Sequence, residues 1–181
     1  MNLLYQNKYR IGSIRLANRN YDEGCYFVTI CCLDQDERLS LIEDNGVYLS
    51  KIGEIVREEL LAMVKIRKNV ELDEWVIMPN HVHMILKIRR DAINRVCTKK
   101  LNKMGCVPLN KNPMANQRSL GAIIRAFKAA SSRKIRRKFS NLSFAWQPRF
   151  YESIIRNKDH FFRVKKYIED NPKRWLENQN K

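Results

Sequence analysis

The spacing of apolar and polar residues changes several times along the 181-residue chain, and each change marks an element. Residues 26–32, Tyr-Phe-Val-Thr-Ile-Cys-Cys, are rich in β-branched and aromatic side chains and predict an interior strand. A polar stretch at 34–46 predicts a turn region. After it Leu49, Ile52, Val56, Leu60 and Met63 recur at three- and four-residue spacing, which predicts an amphipathic helix. Residues 70–78 and 81–88 read as two strands joined by a tight turn, because Pro79 and Asn80 suit its central positions. Periodicity fades over 89–118, where Asn, Pro, Gly and Lys accumulate and predict a long basic insertion. Ser119 suits the N-cap of a helix with Leu120, Ile123, Ile124, Phe127 and Ala130 on its apolar side and Arg125, Lys128 and Arg133 on the other. A last strand or turn falls near 144–151. Helical spacing returns over 159–171, with Pro172 expected to stop it.

Strand, helix, strand, strand, helix and terminal helix, in that order, predict an α+β fold with helices on one face of an antiparallel sheet. The length suits one domain over 1–181, with a basic arm at 1–20 and the insertion at 89–118. Apolar residues at 44% and charged residues at 30% supply a core and exclude a disordered composition.

Charge changes the picture more than composition does. The chain carries 35 Lys and Arg against 19 Asp and Glu, a net +16, and residues 87–138 hold 16 of those bases with one acid, Asp91. One segment thus supplies +15, a concentration that suits phosphate docking better than mixed solvation. Arg125, Lys128, Arg133, Lys134, Arg136, Arg137 and Arg149 are the residues expected to contact nucleic-acid phosphates. Trp146 and Phe150 offer rings for either base stacking or core packing. The five cysteines include no Cys-x-x-Cys pair and read as reduced thiols. No stretch has the apolar length of a signal peptide or a membrane span, so a cytoplasmic protein without membrane contact is expected.

His81 and His83 flank Val82, and on a strand that spacing sends both imidazoles to one face and Val82 to the other. Two readings stand: a pair of metal ligands, or two histidines satisfied on a sheet. Tyr167 and Asn171, at i and i+4, set a phenol and an amide one helical turn apart. A metal held by Asn171 would lie beside Tyr167. Equally, the tyrosine would serve packing, and an asparagine before proline is an ordinary helix terminator.

The motifs Met78-Pro-Asn-His-Val-His-Met-Ile-Leu86, Trp146-Gln-Pro-Arg-Phe-Tyr-Glu-Ser-Ile-Ile-Arg156 and Tyr167-Ile-Glu-Asp-Asn-Pro172 together resemble the REP-associated tyrosine transposases, relatives of the single-strand insertion-sequence transposases in the HUH superfamily. Ser13-Ile-Arg-Leu16 and the strand at 26–30 are similar to theirs as well, so the resemblance spans nearly the whole chain. It implies a ferredoxin-like core with the tyrosine on a C-terminal helix. It further implies His81, His83 and Asn171 as ligands of Mg²⁺ or Mn²⁺, Tyr167 as nucleophile, and single-stranded, hairpin-forming repeat DNA as substrate. Two departures stand out: Ser153 occupies a position where many members have histidine, and the 89–118 insertion is longer than in compact members. Such a protein cuts DNA through a 5'-phosphotyrosine and rejoins it to another end. It works as a monomer or homodimer, with the tyrosine helix over the histidines of its own chain or of a partner. Tyr151 is the rival nucleophile, and a non-catalytic nucleic-acid binder using the same basic surface is the rival function.

Overall fold

Strand pairing places the residues of the central motif on a four-stranded antiparallel sheet. The computed structural model describes residues 4–5, 9–10, 21, 23–43, 46–89 and 119–179. Apart from the short ladder of β1 (Leu4–Tyr5) with β2 (Tyr9–Arg10) and residue 89, the arm at 1–20 and the insertion at 89–118 lie outside the described residues. The sheet is built from β3 (Gly24–Cys31), β6 (Val70–Ile77), β7 (His81–Ile88) and β8 (Tyr151–Ile155), in the order β6-β7-β3-β8. With a helix after β3 and another after β7, this is the ferredoxin-like arrangement.

Each face of the sheet has its own cover. Tyr26, Val28 and Ile30 of β3 and Val82, Met84 and Leu86 of β7 point to one side. They bury against α1 (Lys51–Ile66) and α2 (Leu120–Lys138) through Ile52, Ile55, Val56, Leu60, Ile123, Ile124 and Phe127. The residues between them point the other way: Cys25, Phe27 and Ile85 pack under α3 (Lys158–Glu169) through Phe161, Val164 and Ile168. Ser119 caps α2 as its position predicts, its side chain accepting from the Ala122 N–H.

Three local readings change. The polar stretch at 34–46 contains the first strand of a hairpin, β4 (Ser40–Glu43) with β5 (Gly46–Leu49), whose four-residue strands are too short for alternation to stand out. Leu49 therefore belongs to β5, and α1 begins at Lys51 because the Ser50 hydroxyl caps it, accepting from Ile52 and Gly53. The helix expected over 159–171 ends at Glu169, but Pro172 does not end the helical part of the chain. It lies in the first turn of a further one, α4 (Asn171–Gln179), where a missing N–H costs nothing. In addition, the strand expected near 144–151 is β8, which starts at Tyr151, preceded by a single bridge between Trp146 and Cys32.

The hairpin turn that carries the histidines is tied down from outside the sheet. Leu39 N–H donates to Pro79 O at 2.9 Å, the Ser40 hydroxyl to Ile77 O at 2.9 Å, and Cys32 N–H to Asn80 O at 2.8 Å. Leu39 is in turn fixed to α1, because its carbonyl accepts from Ser50 N–H at 2.9 Å and lies where a side chain on Gly53 would go. A Cβ on Gly53 would stand 2.0 Å from that carbonyl oxygen. Gly53→Ala is therefore expected to lower stability by about 1–3 kcal/mol, the usual cost of overpacking, read as a fall in urea midpoint at unchanged m-value.

Candidate metal and tyrosine site

Alternation along β7 brings both histidines to the face that α3 covers, with Val82 fully buried on the opposite side. The two Nε2 atoms lie 3.1 Å apart, and the rings meet edge-on with centroids at 4.5 Å. His81 Nδ1 is 2.6 Å from Asn80 Oδ1, and the Asn80 amide nitrogen donates to Gln35 Oε1 at 3.1 Å. His83 Nδ1 is 2.8 Å from the hydroxyl of Thr29, its cross-strand neighbour on β3.

Burial holds both imidazoles neutral. It pushes the pKa of His81 down to about 4, and that of His83, by burial first and the neighbouring His81 second, down to about 3. Near pH 7 both rings are therefore neutral, each with one protonated nitrogen and one bare nitrogen lone pair.

The tyrosine helix lies over this pair in the same chain. Tyr167 packs its ring 5.4 Å from that of His83 and 5.8 Å, edge-on, from that of Phe27, which also touches His83 at 5.2 Å. At 37% exposure its outer side is open to solvent. The break between α3 and α4 is mild: Asp170 keeps helical dihedrals, and Arg174 N–H reaches back to Asp170 O at 3.1 Å. Residues 167, 171 and 175 thus follow one another at four-residue steps on one face. Trp175 sets its ring 6.0 Å from that of His81, so Asn171 stands between two residues that each touch a histidine. Asn171 is buried.

Two neutral ring nitrogens 3.1 Å apart have the separation of neighbouring ligands on one cation with bonds of about 2 Å. With the Asn171 amide oxygen as third ligand the donor set would be N,N,O, which would suit Mg²⁺ or Mn²⁺ better than a thiolate-loving metal. Among the described residues no third His, Cys, Asp or Glu joins the pair.

The residues expected to contact phosphates lie elsewhere. Arg125, Arg133, Arg136 and Arg137 are exposed on α2, the helix that covers the opposite face of the sheet. Lys134 pairs with Glu58 and Glu59 of α1 at 2.8 and 3.0 Å. Lys128 is half-buried and donates to the carbonyls of Gln147 and Arg149 at 2.7 and 2.6 Å, with burial pushing its pKa down to about 8. It holds the chain entering β8, where Arg149 itself is exposed. Trp146 is a core residue: its indole N–H donates to Ser131 and its ring meets Phe127 and Phe144. Tyr151 and Ser153 do share the histidine face, paired across β3 with Thr29 and Phe27, but β3 separates them from β7.

Sequence reasoning missed Thr29, Gln35, Asn80, Arg174 and Trp175. Arg174 stacks its guanidinium 5.4 Å from the Tyr167 ring centre. A signal existed only for Asn80, inside the histidine motif but readable as a turn residue. Thr29 is 54 positions from His83, and Arg174 and Trp175 lie beyond a proline that reads as a stop.

The neutral histidines give a stability prediction. Both release their protons near pH 6.5 when unfolded but only near 3–4 when folded, so between those limits the unfolded chain binds more protons. Metal-free protein should lose stability as pH falls from about 6.5 towards 4, and His81→Gln with His83→Gln should flatten that limb in urea titrations.

The family model described as "Transposase IS200 like" matches residues 113–171, which include Tyr167 and Asn171. An uncharacterized protein of Haemophilus influenzae is 33% identical over 168 residues, covering 92% of this chain and 91% of its own length. A solved structure of a REP-associated tyrosine transposase bound to a REP hairpin has the same fold, with a TM-score of 0.58 at 20% identity, covering 89% of this chain and 74% of that one. No described helix is long and apolar enough to cross a membrane. The match over residues 113–171 and the relative aligned over nearly the whole chain place the chain in the IS200-like transposase family.

Proposed function

We propose that this protein is a metal-dependent endonuclease and strand transferase for single-stranded DNA, with Tyr167 as nucleophile and His81, His83 and Asn171 as metal ligands. The observation that carries the proposal is the packing of Tyr167 against His83, 5.4 Å between ring centres, within one chain. A divalent ion held there would offset the charge of a phosphodiester and keep it in line for attack.

The chain's own residues supply the rest. Phe27 and His83 hold the phenol ring edge-on, so its oxygen has few orientations to lose on reacting. Attack forms a bond from Tyr167 Oη to phosphorus, breaks the bond from phosphorus to the 3' oxygen, and passes the phenol proton to solvent while the leaving oxygen takes one up. The products are a 5'-phosphotyrosine and a free 3'-hydroxyl. A 3'-hydroxyl from another strand reverses the step, giving transfer without ATP. Arg174, beside the Tyr167 ring, would add positive charge to attract the phosphate. Exposed Arg163, Lys166 and Lys173 continue that charge along α3 and α4. The hairpin bound in the structural neighbour supports hairpin-forming DNA as the substrate class.

Incubation with end-labelled hairpin oligonucleotides and Mn²⁺ should give a denaturant-resistant adduct in wild type and in Tyr151→Phe but none in Tyr167→Phe. No adduct from wild type on any hairpin refutes the nuclease reading. His81→Ala should slow cleavage by roughly 10²-fold or more while gel-shift affinity survives. Arg174→Ala should slow single-turnover cleavage about 10-fold or more, against little change for exposed Arg137→Ala on the far face.

A further inference from the structure

The two histidines are held by partners of different kinds, and we infer that this difference is functional. Asn80 locks His81 in the tautomer that presents a bare Nε2, whereas Thr29 allows His83 to move its proton from Nε2 to Nδ1 when a cation is held. The inference rests on the metal-site reading above.

At His81 the partner is an amide oxygen, which has no proton to give, so Nδ1 must carry one and Nε2 must be bare. At its other end the amide nitrogen donates to Gln35 Oε1, so reversing the Asn80 amide would require Gln35 to reverse its own. The backbone that carries Gln35 is itself constrained. Gln35 follows Asp34 in a short 3₁₀ turn, Leu33–Gln35, and the two have φ of 59° and 54°, a conformation that non-glycine residues keep only when their surroundings impose it. Asn80 is buried and its backbone carbonyl is pinned by the Cys32 N–H, so the backbone segments that carry Gln35 and Asn80 are both held in place.

At His83 the partner is a hydroxyl, which both donates and accepts. The short distance between the two Nε2 atoms calls for one proton between them when no cation is present. Because His81 keeps its proton on Nδ1, that proton belongs to His83, and Thr29 then donates to His83 Nδ1. Holding a cation needs both Nε2 lone pairs. His83 Nε2 then releases its proton to solvent, Nδ1 takes one up, and the Thr29 hydroxyl turns from donor to acceptor. The ring stays neutral throughout and the net proton count is unchanged. Thr29 and Asn80 are thus positioning residues, acting through the histidines.

The chain has only three histidines, so the full-length protein labelled with ¹⁵N in histidine gives a simple spectrum in which ring tautomers are read directly. Without metal, His81 should be protonated at Nδ1 and His83 at Nε2; on titration with Mg²⁺, His81 should keep its tautomer and His83 should change to Nδ1–H. Asn80→Ala should turn His81 into a mixture and weaken Mn²⁺ binding, followed by electron paramagnetic resonance, by about 10- to 100-fold. Asn80→Asp keeps the acceptor and should restore the single tautomer. Thr29→Val should weaken binding on the same scale and Thr29→Ser should not. His81 protonated at Nε2, His83 unchanged on Mg²⁺ loading, or undiminished Mn²⁺ affinity in Asn80→Ala would each overturn the inference while leaving the metal site standing. Failure of wild type to bind Mn²⁺ at all would overturn both.

Discussion

The site exists because a short helix seals one face of the sheet. Val164 and Ile168 of α3 bury against Ile85 of β7 and Ile155 of β8, with Phe161, Phe27, Cys25 and Val76 around them. Each buried aliphatic side chain is worth about 1.5–3 kcal/mol, so this small cluster supplies a few kcal/mol. Ion pairs join it at the rim: Lys165 meets Glu74 at 3.1 Å, and Lys87 reaches both Asp73 and, at 4.7 Å, the Phe161 ring. These pairs are partly exposed and contribute less than about 1 kcal/mol each, so the apolar contact decides where the helix sits. Tyr167, one residue before Ile168, is carried onto His83 as a consequence.

The same docking explains the electrostatics of the histidines. Under α3 and α4 the two imidazoles lose water and cannot hold a second proton at neutral pH, which leaves each ring neutral with one bare nitrogen. The neighbouring positive charge is supplied from outside the pocket by Arg174 and the exposed bases of α3 and α4. The larger basic surface, on α2, faces away across the sheet. The chain thus has two separate positive regions, one beside Tyr167 and one on the reverse side, and a nucleic-acid strand touching both would have to pass around an edge of the sheet.

Much of this is legible in the chain. The alternation of His81, Val82 and His83 defines one face from spacing alone, and the four-residue step from Tyr167 to Asn171 defines another. Neither spacing says that the two faces meet; the family resemblance implies it, and the packing of α3 supplies the physical reason. Other features have no local signature. Thr29 faces His83 only because β3 and β7 pair in a particular register. Pro172 reads as a terminator because proline ends helices and begins them with the same chemistry. The bases of α2 are legible as charge but not as direction, and Lys128, expected on phosphates, turns inward because two carbonyls of the segment before β8 accept from it.

Everything proposed for the site turns on the residue packed against His83 being the one that becomes bonded to DNA. Tryptic digestion of the adduct followed by tandem mass spectrometry tests this without any substitution. The nucleotide is expected on the peptide that begins at Tyr167 and ends at Lys173. A nucleotide on the peptide from Phe150 to Arg156, which carries Tyr151, would contradict it.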